Sequence, residues 1–292
     1  MRRLKVGLFL VGIIIVAAMG TLFFRPKFYT ATRLVKSISG EGLNKVVDQS
    51  LNGAKGDYGI VIKNLKTGES FMLNEHQTFP PGSLYKLWVM VESFAQIESG
   101  DLKEDEILSQ DVKTLNNEFG ISSDFAELTE GEVTLSVADA LKQMIEISHN
   151  YASLLLTEKI KLSNVARFLQ EKGFKESAVG IDGSDPISTS SDMALFFEKL
   201  YQGKLANQTN TLKMIDLLKD QEINDKLPKY LPEGAVIAHK TGEIDYYSHD
   251  AGIIYNPSGD YIIVVLSKSD YPTAAEDRIA QVSKAVYEYF TQ

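Results

Sequence analysis

Cysteine is absent from this 292-residue chain. The absence excludes disulfides, a thiol nucleophile, a cysteine-ligated zinc site and lipid attachment through a cysteine. Histidine is scarce, because only four occur and none has the H-E-x-x-H spacing of a helical zinc site. An excess of positive charge is also missing, and the net charge of −9 argues against nucleic acid as a partner. We therefore expect no metal, no cofactor and no nucleic-acid ligand.

One long apolar run stands near the start of the chain, at residues 6–24, after a basic N-terminus. At about 1.5 Å per residue, a helix of this length covers roughly 28 Å, which is enough to cross the core of a bilayer. The run stays apolar beyond Ala18 and Gly20, where a signal peptide could be cleaved, and this favours an uncleaved anchor. We predict an N-terminal transmembrane helix within residues 1–27 and a stalk over 28–39.

The rest of the chain has the composition and periodicity of a globular α+β protein. A helix and two strands come first, an almost wholly helical stretch follows, and three strands and a helix come last. This order predicts an antiparallel five-stranded sheet flanked by N- and C-terminal helices, with an inserted all-helical lobe. We assign residues 40–292 to one domain, with an α/β lobe (40–82 and 232–292) and a helical lobe (83–231). The predicted strands are residues 58–62, 70–73, 235–239, 247–255 and 261–267.

A serine and a lysine open the most apolar predicted helix. A Pro-Pro-Gly sequence stops the preceding segment, and the helix is predicted to begin at Ser83 and to be apolar nearly all round over 84–97. Ser83 and Lys86 lie one turn apart and share a face. The serine lies at the positive end of the helix dipole, and burial favours the neutral form of a lysine. The pair can therefore act as nucleophile and base.

Two further motifs follow in order. Residues 148–150, Ser-His-Asn, lie in a break between two predicted helices, and residues 240–242, Lys-Thr-Gly, lie at the end of a predicted strand. None of these patterns is specific alone, because residues 50–52 repeat the S-x-N spacing and residues 66–68 repeat K-T-G. Those copies are explained more simply as a helix end and a hairpin turn. Only the series that starts at Ser83 combines the right order with fitting structural contexts.

This ordered set resembles the motif set of class A β-lactamases and penicillin-binding proteins. The similarity to class A β-lactamase-related serine hydrolases extends from about Gly42 to the C-terminus, and it includes the segments 84–87, 154–156 and 239–243. The resemblance implies a β-lactamase/transpeptidase-like fold with a cleft between the two lobes. It also implies a serine hydrolase that opens an amide without a cofactor.

The resemblance implies catalytic roles for four residues. Ser83 would attack the substrate carbonyl, and Lys86 would take its proton, kept partly neutral by burial and by Lys240 nearby. Ser148 would pass a proton to the leaving nitrogen. The backbone N–H groups of Ser83 and Glu243 would form the oxyanion hole.

Substrate binding is implied for the remaining motif residues. Lys240, Thr241 and Gly242 would hold the substrate carboxylate, and the amide of Asn150 would meet the acylamino side chain. The implied substrates are a β-lactam or a D-alanyl-D-alanine peptide.

One part of the family pattern is missing. Class A enzymes deacylate with a glutamate in an E-x-x-L-N segment on a long loop, whereas residues 173–193 form a short stretch without such a segment. Glu176, Asp182 and Asp185 are the available substitutes, although turn and capping roles explain each of them more simply. His149 replaces the aspartate of S-D-N, and we expect it to be structural.

Three functions stay open on the sequence. The whole-chain resemblance favours a β-lactamase-type hydrolase with slow deacylation. The missing glutamate and the membrane anchor favour a D-alanyl-D-alanine carboxypeptidase or a related penicillin-binding enzyme. A β-lactam sensor that is acylated and not turned over would need a signalling segment, and only five residues precede the apolar run.

The expected location follows from the expected substrate, because the positive charges on the two sides of the apolar run are nearly balanced. We predict a single-pass protein of the cell membrane with its catalytic domain outside the cytoplasm. We also expect a monomer.

Overall fold

Five antiparallel strands form the main sheet, in the spatial order β2-β1-β7-β6-β5. The computed structural model describes residues 41–181 and 184–292 of the chain. A 3₁₀ turn, Gly82–Tyr85, joins the first hairpin to the helical part. The other elements are α1 Glu41–Ser50, β1 Asp57–Asn64, β2 Ser70–Leu73, α2 Lys86–Ser99, β3 Ile107–Asp111, α3 Val112–Glu118, β4 Glu132–Ser136, α4 Val137–Glu146, α5 Asn150–Ile160, α6 Leu162–Lys172, α7 Ser190–Tyr201, α8 Gln208–Lys219, β5 Val236–Ile244, β6 Tyr247–Tyr255, β7 Tyr261–Lys268 and α9 Pro272–Thr291.

Alternation along the strands gives the sheet one core on each face. In β1, Ile60 and Ile62 belong to the core formed with α1 and α9, whereas Val61 belongs to the core formed with the helical lobe. The central strand β7 pairs with β1 on one side and β6 on the other, and its residues 261–267 are all buried. The predicted α+β fold, a five-stranded sheet with terminal helices, is therefore confirmed.

Helix α2 forms the centre of the helical lobe. Its residues 86–94 are all buried, and it packs against α4, α5, α6 and α8. Gly100 ends the helix in a left-handed conformation, with φ 84°. Because Lys86 is the first residue of this buried helix, its amine lies inside the protein.

The prediction of an all-helical lobe is wrong at residues 107–111 and 132–136. Strands β3 and β4 pair there as a two-stranded antiparallel sheet, with Leu108 opposite Leu135. The short alternation of apolar and polar residues in β4 suits a strand, and pairing satisfies the backbone groups of both segments. Ser136 then caps α4 by accepting a hydrogen bond from the Asp139 N–H.

Two boundaries near the motifs also differ from the prediction. Ser83 lies in the 3₁₀ turn, and α2 itself begins at Lys86. The Lys-Thr-Gly motif lies inside β5, not at its end, because pairing with β6 continues through Glu243 opposite Ser248. The motif therefore has the fixed backbone of a paired strand.

The predicted transmembrane helix and stalk, residues 1–39, lie outside the described part of the chain. Within residues 41–181 and 184–292, no helix combines the length and apolar character that a bilayer crossing requires.

Candidate active site

Ser83 occupies the second position of the 3₁₀ turn and is partly exposed. Gly82 before it has a left-handed backbone, with φ 50°, which residues with a side chain rarely adopt. N–H groups at the start of a helical segment have no acceptor within the helix, so they can bind an oxyanion. The turn thus presents a serine hydroxyl and backbone donors together.

Close contact between this turn and β5 places the Glu243 peptide beside Ser83. A Cβ on Gly82 would lie 2.8 Å from the Glu243 nitrogen, and a Cβ on Gly242 would lie 2.5 Å from the Pro81 oxygen. Side chains at these two positions would force the segments apart. The strand β5 is at the edge of the sheet, so one row of its backbone groups is free of sheet pairing. The two predicted oxyanion donors therefore come from adjoining segments.

Lys86 is fully buried, and its Nζ has three oxygen neighbours. Nζ lies 2.5 Å from the Ser148 carbonyl oxygen, 2.7 Å from Asn150 Oδ1 and 3.2 Å from Ser148 Oγ. Burial lowers the pKa of Lys86 well below its ordinary value, and the charge of Lys240 lowers it further against the opposing charge of Glu127. A neutral amine has two N–H donors, which the two carbonyl-type oxygens can accept. Its lone pair is then available for a hydroxyl proton.

Ser148 connects the two lysines of the cleft. It has a left-handed backbone, with φ 57°, in the connection between α4 and α5. This conformation is uncommon for a residue other than glycine and is often found at functional sites. Its Oγ lies 3.2 Å from Lys86 Nζ and 3.0 Å from Lys240 Nζ. A proton can therefore pass between either lysine and this hydroxyl.

Lys240 is fully buried in β5, and burial lowers its pKa to about 7 against the attraction of Asp250 and Glu243. Its Nζ also donates to the Thr241 carbonyl oxygen at 3.0 Å. Thr241 is buried, and Gly242 beside it allows the strand to approach the 3₁₀ turn. Lys240 can therefore be either charged or neutral near neutral pH, which suits both anion binding and proton transfer.

Asn150 joins this lysine pair to an acid that no sequence motif indicates. Its Oδ1 accepts from Lys86, and its Nδ2 donates to a carboxylate oxygen of Glu127 at 2.5 Å. The two partners fix the orientation of the amide, because a carboxylate cannot donate and an amine N–H needs an acceptor. Glu127 is exposed in the connection between α3 and β4.

A buried tyrosine holds the connection that carries Glu127. The Tyr151 hydroxyl lies 3.1 Å from the nitrogen and 2.8 Å from the oxygen of Leu128, and 2.9 Å from Asn116 Oδ1. Asn116 also donates through Nδ2 to the Leu128 oxygen at 2.9 Å. Because Tyr151 directly follows Asn150, the position of the acid is tied to the motif. Nothing in the sequence pattern signals this contact.

His249 holds the chain just before the nucleophile. Its Nδ1 accepts from the Ser267 N–H at 3.1 Å, so its Nε2 carries the proton and donates to the Pro80 oxygen at 2.9 Å. Burial lowers the pKa of His249 to about 4, against the hydrogen bond to Pro80. The neutral imidazole thus links β6 to the segment that enters the 3₁₀ turn.

A second group of buried charges adjoins β5. Lys226 is fully buried and pairs with Asp225 at 2.9 Å and with Glu243. Burial opposes its charge, but the hydrogen bond and attraction of Glu243, with Asp250 and Asp225, raise the pKa of Lys226. His239 pairs with Asp250 at 2.9 Å, Nδ1 to Oδ1. The Lys226 pair holds the side chain of Glu243, whose N–H is predicted for the oxyanion hole, and no motif indicated Lys226.

His149, the middle residue of the second motif, caps α5. Its Nδ1 accepts from the Ala152 N–H at 3.1 Å. Burial lowers the pKa of His149, against the charge of Glu127. The contact fits the structural role expected for this residue.

The loop between α6 and α7 is closed by its own backbone. Ala178 and Ile187 exchange two hydrogen bonds of 3.0 Å, and Ser188 exchanges two with Phe79, at 2.8 and 2.9 Å. Since Phe79 lies four residues before Ser83, the loop adjoins the segment that carries the nucleophile. These backbone hydrogen bonds fix the two ends of the loop against each other and against the segment before Ser83.

The acids of this loop that the structure describes are not directed at the lysine pair. The Glu176 carboxylate accepts from Thr189 Oγ1 at 2.8 Å and pairs with His76 Nδ1 at 2.9 Å. Asp185 is exposed, and Asp182 lies outside the described residues. Neither Glu176 nor Asp185 contacts the motif residues. Within residues 41–181 and 184–292, no three histidine or acidic side chains are grouped so that they could hold a metal ion.

The arrangement contains the groups that acyl transfer to a serine would use. Ser83 has a partly exposed hydroxyl, Lys86 is a buried amine of lowered pKa, and Ser148 links that amine to Lys240. The 3₁₀ turn and β5 bring backbone donors to the same place.

The chain is similar to known proteins over nearly all of its described length. The family described as "Beta-lactamase enzyme family" matches residues 41–290. The extended-spectrum beta-lactamase PER-1 of Pseudomonas aeruginosa is 25% identical over 271 residues, which cover 85% of this chain and 87% of that protein.

Two solved structures share the fold. A beta-lactamase from Sphaerobacter thermophilus has a TM-score of 0.74 at 22% identity, over 85% of this chain and 97% of its own. A leucine-to-glutamate mutant of PBP-A, solved as an acyl-enzyme complex with penicillin G, has a TM-score of 0.71 at 22% identity, over 85% of this chain and 95% of its own.

Proposed function

Because the chain belongs to the beta-lactamase enzyme family and is a serine hydrolase of that type, we propose that it opens β-lactam amides through an acyl-enzyme on Ser83 that is hydrolysed slowly. One observation carries the proposal. Two buried lysines, Lys86 and Lys240, converge on the Ser148 hydroxyl, and Lys86 begins the helix that directly follows the 3₁₀ turn of Ser83.

Acylation uses the proton path of this cluster. The Ser83 Oγ forms a bond to the β-lactam carbonyl carbon, and its proton goes to the neutral amine of Lys86. The C–N bond of the ring then breaks, and the nitrogen takes the proton of Ser148 Oγ. Ser148 regains a proton from Lys86 or Lys240, both of which lie within 3.2 Å of its oxygen.

Backbone donors and the strand β5 supply binding and charge stabilisation. The N–H groups of Ser83 and Glu243 donate to the oxyanion that forms on the carbonyl oxygen. Lys240 in its charged form attracts the substrate carboxylate, with Thr241 and Gly242 lining the strand. The side-chain amide of Asn150 binds the acylamino group.

Deacylation needs a separate base to activate water, and the described loop offers none at the lysine pair. Glu176 is engaged by His76 and Thr189, and Asp185 is exposed. A hundredfold slower water attack corresponds to only about 2.7 kcal/mol of barrier. We therefore expect a stoichiometric burst followed by slow turnover.

A second candidate function, a D-alanyl-D-alanine carboxypeptidase, is favoured by the same loop. An enzyme that reacts with cell-wall peptides does not need a base placed to hydrolyse a penicilloyl ester. PBP-A, which shares this fold, is known in a mutant form as a penicillin acyl-enzyme. Turnover of a D-Ala-D-Ala peptide faster than any penicillin would select this candidate.

Intact-mass measurement tests the main proposal. Incubation with penicillin should add the mass of one penicillin to the wild type, and the adduct should persist for many minutes. Ser83→Ala should show no adduct. Ser50→Ala is the matched control, because it removes the serine of the second S-x-N sequence and should label as the wild type does. Equal labelling of Ser83→Ala would overturn the assignment of the nucleophile.

The apolar run at residues 6–24 supports a proposed location at the cell membrane, with the catalytic domain outside the cytoplasm. Protease added to intact spheroplasts should then digest the catalytic domain. Its protection would contradict the proposed orientation.

A further inference from the structure

Glu127 adjoins the lysine pair but takes no part in the acylation steps. Its carboxylate accepts one N–H of Asn150 at 2.5 Å, on the side of the amide opposite to Lys86. It is exposed, so a ligand in the cleft can reach it. A carboxylate in this place changes the electrostatic potential that an incoming acyl group meets.

We propose that Glu127 makes the site selective for substrates whose acyl side chain carries a positive charge. The inference rests on the proposed function, because it concerns the acyl group that is transferred to Ser83.

The amide of Asn150 places the acyl side chain next to this carboxylate. An amide nitrogen has two N–H donors, and only one of them is used within the described residues, by Glu127. The second is free for the carbonyl oxygen of a substrate acylamino group. Atoms attached to that carbonyl then lie within a few ångströms of the Glu127 oxygens, because both groups bond to the same nitrogen.

The carboxylate is held in place before substrate binds. Leu128, the next residue, is bonded through both its nitrogen and its oxygen to the buried hydroxyl of Tyr151. A fixed charge interacts more strongly with a ligand than a mobile one does, because no ordering of the side chain is needed on binding.

No cation of the described residues forms an ion pair with Glu127, in contrast to Glu243, whose charge is paired with Lys226. The negative charge of Glu127 is therefore available to a ligand. An ammonium group on the carbon next to the acyl carbonyl is the chemistry that best complements it, and a carboxylate there is the chemistry that it repels.

Three penicillins that differ at one carbon test the proposal. Benzylpenicillin, ampicillin and carbenicillin carry a hydrogen, an ammonium and a carboxylate, respectively, on the carbon next to the side-chain carbonyl. The measured quantity is the second-order rate of Ser83 acylation by stopped-flow and intact mass. Because Glu127 is exposed, we expect the acylation rate to rise about fivefold per unit of positive charge on the substrate side chain. Ampicillin should therefore react about 25-fold faster than carbenicillin.

Glu127→Gln is the informative variant, because glutamine still accepts the hydrogen bond of Asn150 but has no charge. It should bring the ampicillin-to-carbenicillin ratio close to one. The charge of Glu127 also raises the pKa of Lys86, but any effect of its removal through Lys86 is shared by all three penicillins and cancels in the ratio. Glu130→Gln is the matched control, since Glu130 is an exposed acid of the same connection and gives the same change in net charge. It should keep the full ratio. Raising the salt concentration to about 1 M, where the Debye length is about 3 Å, should also reduce the wild-type ratio.

Other outcomes overturn the proposal in distinguishable ways. An unchanged ratio in Glu127→Gln, or an equal slowing of all three penicillins, would remove the selective role of Glu127 and leave the acyl-transfer function intact. No adduct on Ser83 with any of the three penicillins would overturn the proposed function itself.

Discussion

The lysine cluster around Ser148 and the loop between α6 and α7 both adjoin the nucleophile segment, but they hold their charges differently. Lys86 and Lys240 are fully buried and converge on one hydroxyl. The Glu176 carboxylate of the loop is partly exposed and turned to His76. Burial can shift the pKa of a charged group strongly, whereas an exposed ion pair contributes little free energy. Among the described residues, the two lysines proposed for acylation are therefore buried together, whereas Glu176, a candidate base for deacylation, is engaged away from them.

The largest expected effect comes from removing the buried amine. Lys86→Met should lower the rate of acylation about 10²–10⁴-fold, because general-base catalysis has this magnitude. Stopped-flow with a fluorescent penicillin measures the rate, and circular dichroism checks the fold. Lys86→Arg should be as slow, since it keeps the charge and cannot act as a base. Lys66→Met, in the second K-T-G sequence, should be unaffected. Normal acylation by Lys86→Arg would show that the cluster needs only a cation here.

Acid should destabilise the folded protein because the buried His249 is neutral. Its pKa in the folded state, about 4, is below the ordinary 6.5, so the unfolded chain binds this proton first as the pH falls. The contribution of neutral His249 to the free energy of unfolding is complete above pH 6.5. About 3 kcal/mol of it is lost as the pH falls from 6.5 to 4.

Urea unfolding of the wild type and of His249→Gln at pH 7 and pH 4.5 measures this loss of unfolding free energy. The variant should lose less stability over this interval than the wild type. His76→Gln is the control, because the hydrogen bond that His76 donates to Glu176 raises the pKa of His76 and gives the opposite pH dependence. An equal loss of stability in wild type and His249→Gln would contradict the prediction.

A smaller effect is expected from the charge of Lys240. With a pKa of about 7, this lysine loses its proton as the pH rises past neutrality, and attraction of a substrate carboxylate is lost with it. The acylation rate at low substrate should fall about tenfold per pH unit well above 7. A β-lactam methyl ester, which lacks the carboxylate, should not show this fall. The same alkaline limb for acid and ester would remove Lys240 from carboxylate binding.

The smallest effect is expected on the loop. Glu176→Gln, Asp182→Asn and Asp185→Asn should each change the slow phase of β-lactam turnover by less than about twofold, because Glu176 is engaged elsewhere and Asp185 is exposed. The release of penicilloic acid after the burst measures this phase. A loss of tenfold or more in one variant would identify that residue as the deacylating base.

Sequence patterns predicted the elements and the burial of candidate site residues correctly where the evidence was local, as in a periodic apolar segment that also carries a polar residue. The apolar run of α2 predicted that Lys86 is buried, and two-residue alternation at residues 58–62 predicted β1. Patterns were insufficient for contacts between distant parts of the chain. His249 bonds to Pro80, 169 residues earlier, and no periodicity of either segment encodes that pairing. The strands β3 and β4 were missed because each pairs with the other across α3 and the connection that follows it, and neither segment alone encodes that pairing.

The contact of Gly82 with the Glu243 peptide has a consequence for the folding of the chain. It joins two segments that are separated by the entire helical lobe, and such contacts form late because the entropy of closing a long loop must first be overcome. A ribosome releases the serine long before it releases β5. On the proposed roles of Ser83 and Glu243, the nascent chain therefore carries its serine without the second oxyanion donor, and covalent labelling by penicillin should begin only when the last strands have docked. The time at which penicillin labelling begins would therefore report when the chain has completed its folding.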